Sequence, residues 1–202
     1  MERLAALSDG VFAVAITLLV LEIARPVREE LQKGSGPDEA ALLGYLVNRW
    51  PDFLAVFMSF LTLGIIWVGQ QTQLNHFARS DRNLTWIHIV FLLVVTLMPF
   101  STGLLARFPD YRTAVVVYWF NIFLLGVLLF ASWKYAWRAG LVKEDVTPEV
   151  RRANESRIII AQSLYAFGAL LCVVSTYLSI GFIFLVQLNY AIAPRIRPLY
   201  RL

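Results

Sequence analysis

The chain has 202 residues, of which 58% are hydrophobic and only 16% are charged. Soluble domains are usually about half apolar and about a quarter charged, so this composition, with a mean hydropathy of +0.63, argues against one. The net charge of +4 does not indicate nucleic-acid binding, because the basic residues fall between apolar runs rather than along one stripe.

Apolar runs of membrane-spanning length follow one another along the whole chain. A spanning helix needs about 20 mostly apolar residues, and this length has room for six of them. We therefore predict an all-α, polytopic membrane protein with a single transmembrane domain over residues 1–202. The predicted spans 1 to 6 cover residues 4–24, 39–76, 84–106, 113–137, 156–176 and 179–193.

Span 1 begins almost at Met1, and we interpret it as a retained helix rather than a signal peptide. The residues before it are nearly neutral, since Glu2 offsets Arg3, and no small-residue cleavage site follows it. The charged stretch 28–38, which contains glycine and proline, predicts a water-exposed loop.

Span 2 is predicted to bend or pause around Trp50-Pro51, because proline is unfavourable inside a helix. Two interpretations stay open: one bent span over residues 39–76, or an interfacial helix at 39–49 followed by a span that starts at Pro51. Pro99 lies inside span 3, where the hydroxyls of Ser101 and Thr102 are expected to bond the freed backbone groups.

The polar segment 138–157 separates spans 4 and 5. A solvated loop and a binding surface for anionic lipid headgroups are both compatible with it, and we favour the loop. Spans 5 and 6 require a tight turn near residues 175–181. Most of the 18 Lys and Arg residues fall on the side of the N-terminus, which predicts a cell-membrane protein with both termini in the cytoplasm.

The sequence lacks the common catalytic, metal-binding and phosphate-binding motifs of soluble enzymes. There is no HExxH, CxxC, GxSxG or phosphate-binding glycine loop. His76 and His88 are too few for a histidine metal site, and we interpret both as packing or interfacial residues. The single cysteine, Cys172, is expected to be a packing residue. We predict neither an enzyme nor a cofactor nor a fixed metal site.

Ionisable residues inside a span are costly in hydrocarbon and are therefore candidates for function. Asp9 in span 1 is the clearest, with Ser8 beside it and Arg3 almost two turns earlier. That separation is poor for a pair within one helix. We therefore expect Arg3, Ser8 and Asp9 to anchor span 1 to neighbouring helices.

Span 1 also carries a stripe at helical spacing, formed by Gly10, Val14, Thr17, Leu18 and Leu21. In a monomeric bundle such a stripe is ordinary packing. If several subunits placed span 1 around one axis, the same stripe would form stacked rings. Apolar rings gate by dewetting, and hydroxyl rings replace part of an ion's water shell.

The start of span 1 resembles the bacterial relatives of transmembrane protein 175, the endosomal and lysosomal potassium channel family. The family signature is Arg, three residues, then Phe-Ser-Asp; here Arg3, Ser8 and Asp9 match, and Leu7 replaces the Phe. The resemblance continues over roughly the first half of the chain, through Trp67, Asp81-Arg82 to Trp86, and Pro99-Phe100 followed by Thr102. The family commonly has Trp-x-x-His-His, whereas this chain has Gln70 and Gln71, which cannot be protonated as histidine can.

The resemblance implies a homotetramer of six-helix subunits whose first helices line a central pore without a carbonyl filter. It implies apolar pore constrictions at Val14 and Leu21 with Leu18 nearby, and a Thr17 layer that favours potassium. The expected partners are potassium ions, further copies of the chain and the lipid bilayer. Two other functions stay open from the residues: a proton-coupled secondary transporter that uses Asp9, and a non-conducting membrane scaffold.

Overall fold

The computed structural model of the protein describes residues 2–23 and 39–192. The loop predicted at 28–38 and the predicted ends of spans 1 and 6 lie outside these residues. The described residues form, in chain order, α1 (Glu2–Leu19), α2 (Glu39–Asn48), α3 (Trp50–His76), α4 (Arg82–Thr96), α5 (Met98–Arg107), α6 (Arg112–Arg138), α7 (Pro148–Leu170) and α8 (Thr176–Ile192). A 3-10 turn at Val20–Glu22 extends α1, and another at Leu171–Val173 extends α7.

Five helical segments within this part of the chain are long and apolar enough to cross a membrane. They are Glu2–Glu22, Trp50–His76, Arg82–Arg107, Arg112–Arg138 and Pro148–Val173. The sixth apolar helix, α8, has 17 residues. At 1.5 Å per residue it is roughly 26 Å long, close to the ~30 Å hydrocarbon core of a bilayer. The protein is an all-α, polytopic membrane protein, and its described residues hold five long apolar helices and one shorter one.

The two predicted spans that contain proline are each broken into two helices. In span 2 the break falls at Arg49, and α3 alone is the segment of spanning length, which favours the interpretation with a separate helix before Pro51. In span 3 the chain turns at Leu97. The hydroxyls of Ser101 and Thr102 both donate to the Met98 carbonyl, at 3.0 and 2.7 Å.

Helix α7 begins at Pro148, ahead of residue 156 where span 5 was predicted to start, so only part of the polar segment 138–157 is a loop. The helix starts there because the Thr147 hydroxyl accepts a hydrogen bond from the Val150 amide. The charges are accommodated by pairing: Glu155 contacts Lys134 of α6 at 2.9 Å. The turn between α7 and α8 lies at residues 174–175, slightly earlier than predicted.

The core contains a buried polar cluster that holds four helices together. The Tyr118 hydroxyl of α6 lies 3.3 Å from the Thr62 hydroxyl of α3 and 3.3 Å from the Gln187 amide of α8. Thr102 of α5 joins the cluster, because its hydroxyl oxygen lies 2.6 Å from that of Ser59. Such bonds stabilise a membrane bundle because unpaired polar groups are costly in hydrocarbon.

Helices α7 and α8 pack closely at Gly168. The Ser179 hydroxyl donates to the Gly168 carbonyl at 2.7 Å, and a Cβ added at Gly168 would lie 2.9 Å from atoms of both Ile183 and Phe182. A methyl group there therefore requires these side chains or the helices to shift.

We expect Gly168→Ala to destabilise the protein by about 1–3 kcal/mol, measured as a lower thermal unfolding temperature in detergent. Gly181→Ala is the matched control, because an added Cβ there meets nothing within 4 Å and the change brings only the higher helix propensity of alanine. Equal unfolding temperatures for the two variants would contradict the close α7–α8 contact.

Candidate functional site

Helix α1 has one buried and one exposed face in the single chain. The buried face packs against α3, α4 and α5 and consists of Leu4, Ser8, Phe12, Ala15 and Leu19. The exposed face carries the predicted stripe: Val14 is 57% exposed, Leu18 42% and Leu21 59%, and Gly10 and Thr17 are also exposed. All five stripe residues thus point away from the subunit core.

Thr17 is a polar group on this otherwise apolar stripe. Its hydroxyl donates to the Val14 carbonyl at 2.8 Å, within its own helix. Because the hydroxyl proton is engaged, the lone pairs of the oxygen are left to accept from water or to contact a cation.

Asp9 joins α1 to α3 through two hydrogen bonds. Its Oδ1 accepts from the Trp67 indole nitrogen at 2.8 Å and from the Gln71 side-chain amide at 2.7 Å. Trp67 and Gln71 are one turn apart on α3, so both reach the same carboxylate oxygen. Bonds to a charged acceptor are stronger than neutral ones, and these two fix the N-terminal half of α1 against α3.

Ser8, the buried neighbour of Asp9, starts a chain of hydrogen bonds through four helices. The Gln70 amide of α3 donates to the Ser8 hydroxyl at 2.9 Å and lies 3.3 Å from Nδ1 of His88 on α4. The other ring nitrogen of His88, Nε2, lies 3.0 Å from the Ser132 hydroxyl of α6. If Gln70 donates to Nδ1, Nε2 carries the proton and donates to Ser132.

The three residues predicted to anchor α1 therefore differ in their contacts. Ser8 and Asp9 reach α3, whereas Arg3 is exposed and forms no hydrogen bond or ion pair with another described residue. Gln70 and Gln71 are the direct partners of Ser8 and Asp9. Sequence reasoning treated His88 as packing and missed Ser132, although a polar residue in each of two apolar helices was the available signal.

Outside the spans, Asp81 fastens the start of α4 to α6. Its carboxylate accepts from the Tyr135 hydroxyl and, at 2.8 Å, from the Leu84 amide. These bonds, that of Tyr135 first, hold the pKa of Asp81 below its ordinary value. Any stability that the charged carboxylate contributes is therefore present at neutral pH and is lost only as the pH falls through this lowered pKa.

At the opposite end of α1, Glu22 reaches α5. Its carboxylate lies 3.8 Å from the Arg107 guanidinium and packs directly against Gly103. No cluster of three or more His, Cys, Asp or Glu side chains suited to a metal occurs in residues 2–23 and 39–192. Ser8, Asp9 and Glu22 thus attach α1 to neighbouring helices, whereas the Thr17 hydroxyl lies on its exposed face.

Comparison with known proteins identifies the relatives of this chain. Residues 3–99 match the family model described as endosomal/lysosomal potassium channel TMEM175. A potassium channel of Chamaesiphon minutus is 33% identical over 195 residues, which cover 94% of this chain and 93% of the relative. A potassium channel of Streptomyces collinus is 33% identical over 193 residues, 93% of this chain and 90% of the relative.

The likeness extends to a longer animal protein and to a solved structure. The endosomal/lysosomal proton channel TMEM175 of Rattus norvegicus is 32% identical over 187 residues, which cover 88% of this chain but 36% of that protein. The crystal structure of a lysosomal potassium-selective channel TMEM175 homolog from Chamaesiphon minutus superposes with a TM-score of 0.80. It is 29% identical, and the match covers 96% of this chain and 97% of that one.

Proposed function

The chain belongs to the TMEM175 family of ion channels, and we propose that it is a potassium-selective channel of the cell membrane with both termini in the cytoplasm. Relatives of nearly the same length are named potassium channels, and the match runs along almost the whole chain. We further propose that four copies assemble with α1 of each around a central pore.

The exposed stripe of α1 is the observation that carries this proposal. A helix that is held by three neighbours on one side, yet exposes a row of apolar, small and hydroxyl residues on the other, is suited to face an axis shared by several copies. In that arrangement Val14 and Leu21 form two apolar rings, Leu18 lies beside the second, and Thr17 forms a hydroxyl ring between them.

The anchors at the end of α1 support the same arrangement. Asp9 is held by Trp67 and Gln71, and Ser8 by Gln70, so α1 has a fixed rotation about its own axis. A helix that lines a pore needs a fixed rotation, because a rotation of α1 would turn the stripe away from the pore and bring residues of its buried face towards it. We infer that Ser8 and Asp9 position the pore residues and that Arg3 serves the same end through contacts outside the single chain.

The Thr17 layer is proposed to favour potassium over sodium. Four hydroxyl oxygens, with their protons donated to Val14 carbonyls, replace part of the hydration shell of a passing ion. This is easier for the more weakly hydrated potassium ion. Discrimination by four hydroxyls is expected to be modest in comparison with a cage of backbone carbonyls.

Thr17→Ala tests both the pore and the selectivity layer. In liposomes with purified protein and a cation gradient, we expect flux to persist while the K⁺/Na⁺ permeability ratio falls about fivefold, which corresponds to about 1 kcal/mol. Thr96→Ala is the matched control, because the Thr96 hydroxyl on α4 is exposed and donates to the Leu93 carbonyl three residues earlier in the same way.

Three outcomes would contradict the proposal. An unchanged permeability ratio in Thr17→Ala would remove Thr17 from the ion path. Saturable flux coupled to protons would favour a secondary transporter, and no cation flux from the folded wild-type protein would favour a scaffold. Mass measurement of the intact complex in detergent tests the tetramer separately.

A further inference from the structure

A cavity of about 510 Å³, partly open to the outside of the subunit, lies between α3, α6, α7 and α8. Its volume is within the range of sites that hold drug-sized ligands, ~300–1,000 Å³. Helix α1 contributes no residue to its wall, so the cavity is separate from the proposed pore stripe. Trp67, which bonds Asp9 of α1, lies in its wall, whereas Ser8, Asp9, Gln70 and Gln71 do not.

The cavity is polar at one end and mainly apolar over the rest of its length, where Thr62 and Gln162 are the polar exceptions. The polar end is formed by Gln73 near the C-terminus of α3, Asn154 and Arg157 in the first turns of α7, and Tyr190 near the C-terminus of α8. Towards the middle of the helices the wall consists mainly of apolar side chains such as Phe60 and Ile122. The change in polarity runs along the helix axes, as does the change from headgroup to hydrocarbon in a bilayer.

The polar end offers hydrogen-bonding groups without partners in the described part of the chain. Asn154 Nδ2 and Gln73 Oε1 are both buried and unpaired, and Gln73 is only 1% exposed. Arg157 is exposed and takes part in none of the ion pairs among the described residues. A negatively charged group on a ligand would accept hydrogen bonds from Arg157 and Asn154. A hydroxyl on the same ligand would donate to the Gln73 side-chain oxygen.

The polar end also lies where anionic lipid headgroups are found. It is at the same end of the bundle as the N-terminus of α1, since α7 begins and α3 ends there. Most basic residues flank this end, which by the positive-inside rule faces the cytoplasm. The anionic lipids that basic residues near a membrane attract carry a phosphate diester.

We propose that this cavity binds one anionic phospholipid of the bilayer, with its phosphate at Arg157 and Asn154 and one acyl chain along the apolar wall. A glycerol headgroup suits the site, because its hydroxyl donates to the unpaired Gln73 oxygen. The inference does not depend on ion conduction by α1, and its test measures bound lipid rather than flux.

The test uses full-length protein reconstituted in vesicles of equal parts phosphatidylglycerol and phosphatidylcholine. After extraction in mild detergent, native mass spectrometry counts the lipids that remain bound. We expect the wild-type protein to retain phosphatidylglycerol, about one per subunit, in preference to phosphatidylcholine. We expect Arg157→Gln to lose at least half of it, because the charge that recognises the phosphate is removed.

A second pair of variants tests the cavity itself. Gly64 lies in the cavity wall and an added Cβ there meets nothing within 4 Å, so Gly64→Leu fills the space without a clash at Cβ and should also lose the lipid. The controls are Arg152→Gln, an exposed arginine of α7 outside the cavity, and Gly181→Leu, where an added Cβ is equally unhindered. Both should retain lipid as the wild type does.

Several outcomes would overturn the proposal. The first is that the wild-type protein retains phosphatidylglycerol and phosphatidylcholine equally. The second is that phosphatidylglycerol retention is unchanged in both Arg157→Gln and Gly64→Leu. The absence of bound lipid in an intact oligomer would likewise overturn it, in favour of a neighbouring subunit as the occupant of the cavity.

Discussion

Leu21→Ala is expected to raise potassium flux through the reconstituted protein at least about tenfold, equivalent to lowering the barrier by about 1.4 kcal/mol. The reason is that Leu21 is 59% exposed near the end of the α1 stripe, where four copies would form an apolar ring. Such a ring excludes water from a narrow pore and thereby blocks ions. Smaller side chains widen the ring and let water fill it.

Leu21→Asn separates water exclusion from mere narrowness. Asparagine is close to leucine in size but polar, so it would wet the ring without widening it much. If dewetting forms the barrier, this variant also conducts more than the wild type. Leu185→Ala on α8, where leucine is 64% exposed, is the control for removing an exposed leucine elsewhere. Wild-type flux in both Leu21 variants would exclude Leu21 as a constriction.

Asp9→Ala is expected to destabilise the protein by about 2 kcal/mol and to lower its thermal unfolding temperature in detergent. The change removes the acceptor of two hydrogen bonds and leaves the Trp67 indole and the Gln71 amide without it. This loss in free energy of unfolding is smaller than that expected for two fully buried hydrogen bonds to a charged group, because both bonds lie in an exposed part of the chain.

Asp9→Asn should destabilise the protein less than Asp9→Ala, because asparagine keeps an oxygen acceptor at this position but removes the charge. We expect its unfolding temperature to lie between those of the wild type and Asp9→Ala. Asp145→Ala, in an exposed turn between α6 and α7, controls for the loss of an aspartate. Should Asp9→Ala unfold at the same temperature as Asp145→Ala, the carboxylate would not be an anchor of α1.

The sequence predicts the all-α membrane fold well because apolar runs of bilayer thickness are a local and strong signal. It also places the interruption near Pro51, since proline is unfavourable inside a helix, whereas span 3 was predicted as one helix through Pro99 and is broken at Leu97. The start of α7 escaped prediction for a physical reason. Its first turns are charged and look like a loop, yet the Thr147 cap and the Glu155–Lys134 pair stabilise them as helix.

The contacts of the candidate site were less predictable than the fold. The motif around Asp9 indicated that α1 is attached to its neighbours, but not to which atoms. Bonds between helices depend on their relative rotation, which no local pattern encodes. For the same reason the Tyr118 cluster, in which the partners of Tyr118 lie from 56 to 69 residues away along the chain, left no signal in the sequence.

The row Ser8, Gln70, His88 and Ser132 has a consequence for proton movement through the subunit. Hydroxyl and imidazole groups relay protons readily, because each can accept one and release another. A side-chain amide does so only by passing through an unfavourable imidic acid form. Gln70 therefore interrupts proton transfer along these four side chains from α1 to α6. Their hydrogen bonds hold the helices together without conducting protons.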